Sequence, residues 1–201
     1  MPHDVRRAVF LDRDGVVNRK MPEGDYVKTW EEFEILPDVP EAIRRLNENG
    51  FMIFVVSNQR GVARGIIRES VLIEIHRRAS ASLRSRGARV DGFYYCPHDI
   101  GDDCACRKPK PGLLLQASTE HAVDLAQSWM IGDRDSDIEA GRRAGCRTVR
   151  IGEIDSESGG GRAKEDLRAE SLLVAVGKVL AGGTVLPPLQ QGQDAEELES
   201  P

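Results

Sequence analysis

The chain has 201 residues, with 28 Lys and Arg against 33 Asp and Glu and a formal net charge of -5. That length suits one domain with a sizeable core, and the acidic balance gives no support to a nucleic-acid or membrane-surface role. With no basic start leading into an apolar run and a small-residue cleavage site, and no apolar stretch of bilayer length, the chain reads as cytoplasmic and without a membrane span.

Short apolar runs rich in β-branched or aromatic residues predict strands at 8–11, 52–56, 92–95, 129–131 and 148–151. Helical spacing predicts helices at 40–49, 69–86, 112–127, 136–144 and 165–181, the first two closed by Gly50 and Gly87. The alternation argues for an α/β fold: a Rossmann-like, mainly parallel sheet with helices on both faces, in a single domain over 1–182. The glycine-rich "GEIDSESGGGR" reads as a flexible loop and 183–201 as a disordered tail. Nothing in the pattern demands more than a monomer.

In chain order, "DRD" follows the first strand, "SNQ" the second, "CPH" the third and "GDRDSD" the fourth. Open α/β sheets bind ligands outside the carboxyl ends of their strands, so these polar groups are expected to converge there. Asp12, Asp14 and Asp133 would form a hard, oxygen-rich site suited to Mg²⁺ and a phosphate oxygen. Two aspartates two positions apart need such a cation. Ionised Asp12 is then the candidate nucleophile on phosphorus, and Asp14 the acid and base, a role that calls for a pKa above that of Asp12. The Ser57 hydroxyl and the Lys108 ammonium supply positioning and charge neutralisation.

Residues 96–106 contain Cys96, His98, Cys104 and Cys106. Three thiolates and one imidazole satisfy a closed tetrahedral Zn²⁺ site, which is structural rather than catalytic. The loop is rich in Asp and Gly and cannot order itself by burial, yet Arg107 and Lys108 follow it directly. Zinc would hold them. Cys146 stands apart and reads as a small buried thiol. His76 and His121 lie on predicted helices and read as structural.

Four motifs in order, "FLDRDG", "VVSN", Lys108 in "CRKPKPG" and "MIGDRDSD", make the chain resemble the haloacid dehalogenase superfamily of phosphatases over residues 8–152. The resemblance implies an aspartyl-phosphate at Asp12, Mg²⁺ held by Asp12, the Asp14 backbone carbonyl and Asp133, and a supporting role for Asp137. "C-x-H…C-x-C-R-K-P" and "SNQRGVARG" narrow it to the branch containing D-glycero-D-manno-heptose 1,7-bisphosphate 7-phosphatases and the histidinol-phosphate phosphatase domain. In that branch the implied substrate contacts are Arg13, Gly24, Asp25, Tyr26, Asn58, Gln59, Arg60, Arg107 and Arg134. A substrate with two phosphates needs several cationic groups; Arg60, Arg64, Arg107 and Arg134 are available, and arginine's planar fork suits phosphate. The heptose enzyme is the first reading. Asp25 and Glu23 keep histidinol phosphate, with its ammonium, as an alternative, and a non-catalytic phospho-acceptor is a third. Asn58 has a further reading as a helix cap or a brace of the second strand. The segments between motifs leave no room for a separate cap domain, so water exclusion falls to loop 19–30 and the zinc loop.

Overall fold

The computed structural model describes residues 5–152 and 164–182. Six strands, β1 (Ala8–Leu11), β2 (Met52–Asn58), β3 (Gly92–Cys96), β4 (Trp129–Gly132), β5 (Arg147–Ile151) and β6 (Leu167–Ala169), form one sheet in the order β3-β2-β1-β4-β5-β6, every pair parallel. The helices are α1 (Val39–Glu48), α2 (Glu69–Ser85), α3 (Gly112–His121), α4 (Asp135–Ala144) and α5 (Leu172–Gly182). Among the described residues no helix is long and apolar enough to cross a membrane.

Alternation along the strands decides which helices lie on which face. Val9, Leu11, Ile53 and Val55 pack with Ile43 and Leu46 of α1, Leu72 and Ile75 of α2, and Val176 of α5. Phe10, Phe54, Val56 and Met130 point the other way, onto Leu113 and Leu114 of α3 and Ala140 of α4. Both faces are thus covered, and the central strands are apolar throughout, as buried parallel strands are. Phe10 and Phe54 stack across β1 and β2 with centroids 5.6 Å apart.

The register fixes the site. Leu11 of β1 pairs with Val55 of β2 and Ile131 of β4. The chain therefore reverses its direction of winding between β1 and β4, and a crevice opens at the carboxyl ends of these strands. No separate cap domain covers it among the described residues.

Two expectations are corrected. The helix predicted at 112–127 stops at His121, because Ala122 adopts a left-handed conformation (φ 53°) and Val123 bridges to Arg6 instead. The predicted helix 165–181 begins only at Leu172, since 167–169 form the edge strand β6. Three residues, Leu167 to Ala169, are too short a run to carry a strand signal. It is held by pairing with β5 and by Asp166, whose carboxylate accepts from the Thr148 N–H and hydroxyl at 2.7 and 2.9 Å. The "GEIDSESGGGR" loop, save Gly152, and the 183–201 tail lie outside the described residues.

Candidate active site

Neighbouring strand ends bring the motif residues together. Asp12 leaves β1 with its N–H donated to the Ile131 carbonyl at 2.9 Å, which places it beside the end of β4 and Asp133. Ser57 sits in β2. Lys108 arrives from the loop after β3 and is clasped to β2 by Asn58: the Asn58 amide donates to the Lys108 carbonyl and accepts from the Lys108 N–H, both at 3.0 Å. The crevice has a volume of about 740 Å³ and is lined by Asp12, Asp14, Lys20, Tyr26, Ser57 and Arg107, among others.

Lys108 is the hub. Its Nζ lies 2.6 Å from Asp12 Oδ1, 2.6 Å from Asp137 Oδ1 and 2.7 Å from the Val56 carbonyl, in a side chain that is 2% exposed. Asp137 can come this close because β4 ends in glycine: a Cβ on Gly132 would stand 2.2 Å from that of Asp137. The other oxygen of Asp137 accepts from the Arg134 N–H at 3.0 Å, capping α4. Burial pushes Asp12 up from 3.8 to about 7; Lys108 opposes this, and the neighbouring charges of Asp137 and Asp14 add to it.

Asp14 is held differently. Its Oδ1 accepts from Arg13 Nε (3.2 Å), Arg13 Nη2 (2.8 Å) and the Asn18 amide (3.0 Å), and its Oδ2 accepts from Gln59 Nε2 at 3.0 Å. Burial opposes ionisation here too, but the Arg13 guanidinium and these donors hold the carboxyl below its usual range. Among the protein groups the order of the two pKa values is thus the reverse of the expected one, because the intervening residue is an arginine turned inward. Gln59 also donates to Ser57 Oγ at 2.6 Å and so ties the two candidate catalytic groups together.

The donor sets suit cations. Asp12, Asp133 and Asp137 each offer a carboxylate oxygen within 4.8 Å of the others, and Asp133 Oδ1 is buried with no hydrogen-bond partner. Its Oδ2 is met by the Lys20 ammonium at 2.5 Å. In the loop after β3, Cys96 Sγ lies 3.6 Å from His98 Nδ1 and 3.5 Å from Cys104 Sγ, and Cys106 Sγ lies 3.3 Å from His98 Nδ1 and 3.5 Å from Cys104 Sγ. Four donors about 2.3 Å from a central ion would stand roughly 3.8 Å apart, close to this spacing.

The substrate residues read from the sequence divide. Gly24, Asp25, Tyr26, Gln59, Arg60, Arg107 and Arg134 line the crevice. Arg60 Nε donates to the Tyr26 hydroxyl at 2.8 Å, and Arg107 donates to the His98 carbonyl at 3.1 Å, so each is braced at the rim. Asp25 pairs with Lys28 at 2.7 Å. Arg64 pairs with Asp99 at 2.7 Å instead of lining the crevice. Arg13 borders the crevice, but its side chain is 1% exposed and its guanidinium is engaged by Asp14; the Asn58 amide is spent on the Lys108 backbone. Both nonetheless stand among the residues that line the crevice. Lys20 was missed, since one lysine in a charged loop gives no signal. His76, read from the sequence as structural, is buried: its Nε2 lies 3.4 Å from Arg13 Nη1 and its ring stacks on Phe93. His121 Nε2 lies 3.1 Å from the Tyr94 hydroxyl.

A parallel sheet of this order, with carboxylates at the ends of β1 and β4 and a buried lysine joining them, defines a haloacid dehalogenase-like hydrolase. A HAD-hydrolase-like family model matches residues 105–178. The curated relatives narrow the class. The D-glycero-beta-D-manno-heptose-1,7-bisphosphate 7-phosphatase of Pseudomonas aeruginosa is 41% identical over 73% of this chain and 81% of its own. The D-glycero-alpha-D-manno-heptose-1,7-bisphosphate 7-phosphatase of Mycobacterium tuberculosis is 40% identical over 74% and 81%. Among solved structures, the D,D-heptose 1,7-bisphosphate phosphatase of B. bronchiseptica, complexed with magnesium and phosphate, superposes with a TM-score of 0.79 at 33% identity, covering 88% of this chain and 99% of that one. The chain belongs to this phosphatase family of haloacid dehalogenase-like hydrolases and is a phosphoric monoester hydrolase.

Proposed function

We propose that the chain removes the 7-phosphate of D-glycero-D-manno-heptose 1,7-bisphosphate through an aspartyl-phosphate on Asp12. The observation that carries this reading is the Lys108 hub, which joins Asp12 to Asp137 beside Ser57 in an open, polar crevice. The fit of a phosphorylated sugar follows from Arg60, Arg107, Arg134 and Lys20 around the mouth.

Asp12 attacks phosphorus and the sugar oxygen leaves, while Lys108 and the Ser57 hydroxyl receive the negative charge of the transferring group. Asp14 serves both halves of the cycle. It rests as the carboxylate that takes a proton from the hydrolytic water. Entry of a phosphate dianion raises its proton affinity, so it also carries the proton given to the leaving alkoxide. Mg²⁺ held by Asp12, the Asp14 carbonyl and Asp133 would neutralise the carboxylates and favour the ionised nucleophile; the partnerless Asp133 oxygen supports that placement. Zn²⁺ held by Cys96, His98, Cys104 and Cys106 would order the loop that carries Arg107. We further read residues 1–182 as one domain and the protein as a cytoplasmic monomer, where reduced thiols remain available to zinc.

The test is phosphate release from both anomers of the heptose bisphosphate compared with histidinol phosphate. The bisphosphate is expected to give the higher kcat/KM by at least about tenfold. Preference for histidinol phosphate would overturn the substrate assignment.

A further inference from the structure

Arg13 poses a problem that the proposed mechanism does not use. A guanidinium almost wholly out of water is costly unless every side of it is engaged. Two of its nitrogens grip Asp14 Oδ1, and its plane lies over the Phe33 ring at 5.7 Å. The third nitrogen, Nη1, meets Nε2 of His76, a residue of α2 that is 63 positions away and 6% exposed. Arginine only donates, so Nε2 must present its lone pair, and the ring proton belongs on Nδ1. The imidazole itself is clamped by β3, stacked on Phe93 with centroids 4.8 Å apart and tilted against Tyr95 at 5.6 Å.

We infer that His76 is a positioning residue for catalysis: by accepting from Arg13 Nη1 it fixes the guanidinium fork, and through it the single orientation in which Asp14 meets the leaving oxygen and the water. This inference rests on the phosphatase reading above. His76 touches neither substrate nor any candidate metal ligand, so its effect must appear in proton transfer and not in binding. Asn18 shares Oδ1 with Arg13 and Gln59 holds Oδ2, but neither contacts the Arg13 guanidinium, which His76 alone meets on its Nη1 side.

The experiment compares His76→Phe, which fills the same space and stacks on Phe93 without an acceptor, with His76→Gln, whose amide oxygen can accept from Arg13. In His76→Phe, kcat on the sugar bisphosphate is expected to fall about 10- to 100-fold with KM changed less than about threefold. The value of kcat/KM on 4-nitrophenyl phosphate, whose leaving group needs no proton, should change less than about threefold. His76→Gln should recover at least a third of the lost log-rate. Equal losses on the two esters, a rise in KM that accounts for the loss, or no difference between the Phe and Gln variants would overturn the inference. If the wild type hydrolyses 4-nitrophenyl phosphate and another sugar phosphate but not the heptose bisphosphate, the substrate reading fails alone, and the same comparison proceeds on the sugar phosphate that is turned over.

Discussion

The Lys108 ammonium lies 2.6 Å from Asp137, and both side chains are almost fully buried. Since Asp12 shares the same ammonium, one cation offsets two carboxylates at the heart of the crevice. Lys108→Met leaves both acids without that partner. Removing one member of a buried ion pair typically costs about 3–5 kcal/mol, and losing a preorganised charge on the transferring group costs about 10²–10³ in rate. Thermal melts and phosphate release should show both losses together.

Asp12→Asn separates chemistry from folding. The amide keeps the shape of the carboxylate but cannot attack phosphorus, so turnover should drop by more than about 10³-fold. Because burial disfavours the charged form of Asp12, Tm at pH 8 should be equal to or above that of the wild type. Residual turnover within about tenfold of wild type would remove Asp12 from the covalent role.

Cys104→Ser tests the loop after β3. One of the four clustered donors becomes a poor zinc ligand, so zinc measured by atomic emission should fall from about one per chain towards zero. Loss of about 2–3 kcal/mol would lower Tm by roughly 5–10 °C in a chain of this size. A wild type that carries no zinc and melts at the same temperature as the variant would refute the structural site.

Acid stability reports on His76. Burial and the adjacent Arg13 push its pKa down from 6.5 to about 3, opposed only by the more distant Asp14. The folded protein therefore binds fewer protons at this site than the unfolded chain between about pH 6.5 and 3, so this site destabilises the wild type progressively as pH falls through that window. His76→Phe carries no such group. The difference in Tm between variant and wild type should move in favour of the variant from pH 7 to pH 4; a constant difference would place the histidine in a less buried or more acidic setting.

The sequence made the scaffold readable wherever one element carries its own pattern. Strands β1 and β4 are continuous apolar runs and β2 opens on one, and Asp12 and Asp133 stand where β1 and β4 stop. What stayed hidden depends on contacts between distant segments. No spacing rule links His76 to Arg13 or Lys20 to Asp133. The clasp between the Asn58 amide and the Lys108 backbone spans 50 residues and leaves no mark in the spacing either. Edge strand β6 was missed because its pairing lies with β5, and three residues with a single charge in a charged stretch carry no alternation of their own.

The pairing of Leu11 with Ile131 has a wider consequence. Asp12 and Asp133 each emerge from one of two adjacent strands, so their separation is a property of the sheet's hydrogen-bonded lattice. Segment 19–30, by contrast, lines the crevice from Lys20 to Val27 without belonging to any strand of that lattice. The reacting centre is therefore dimensioned by the sheet and the mouth by a segment outside it, a fixed chemical engine behind a separately built entrance.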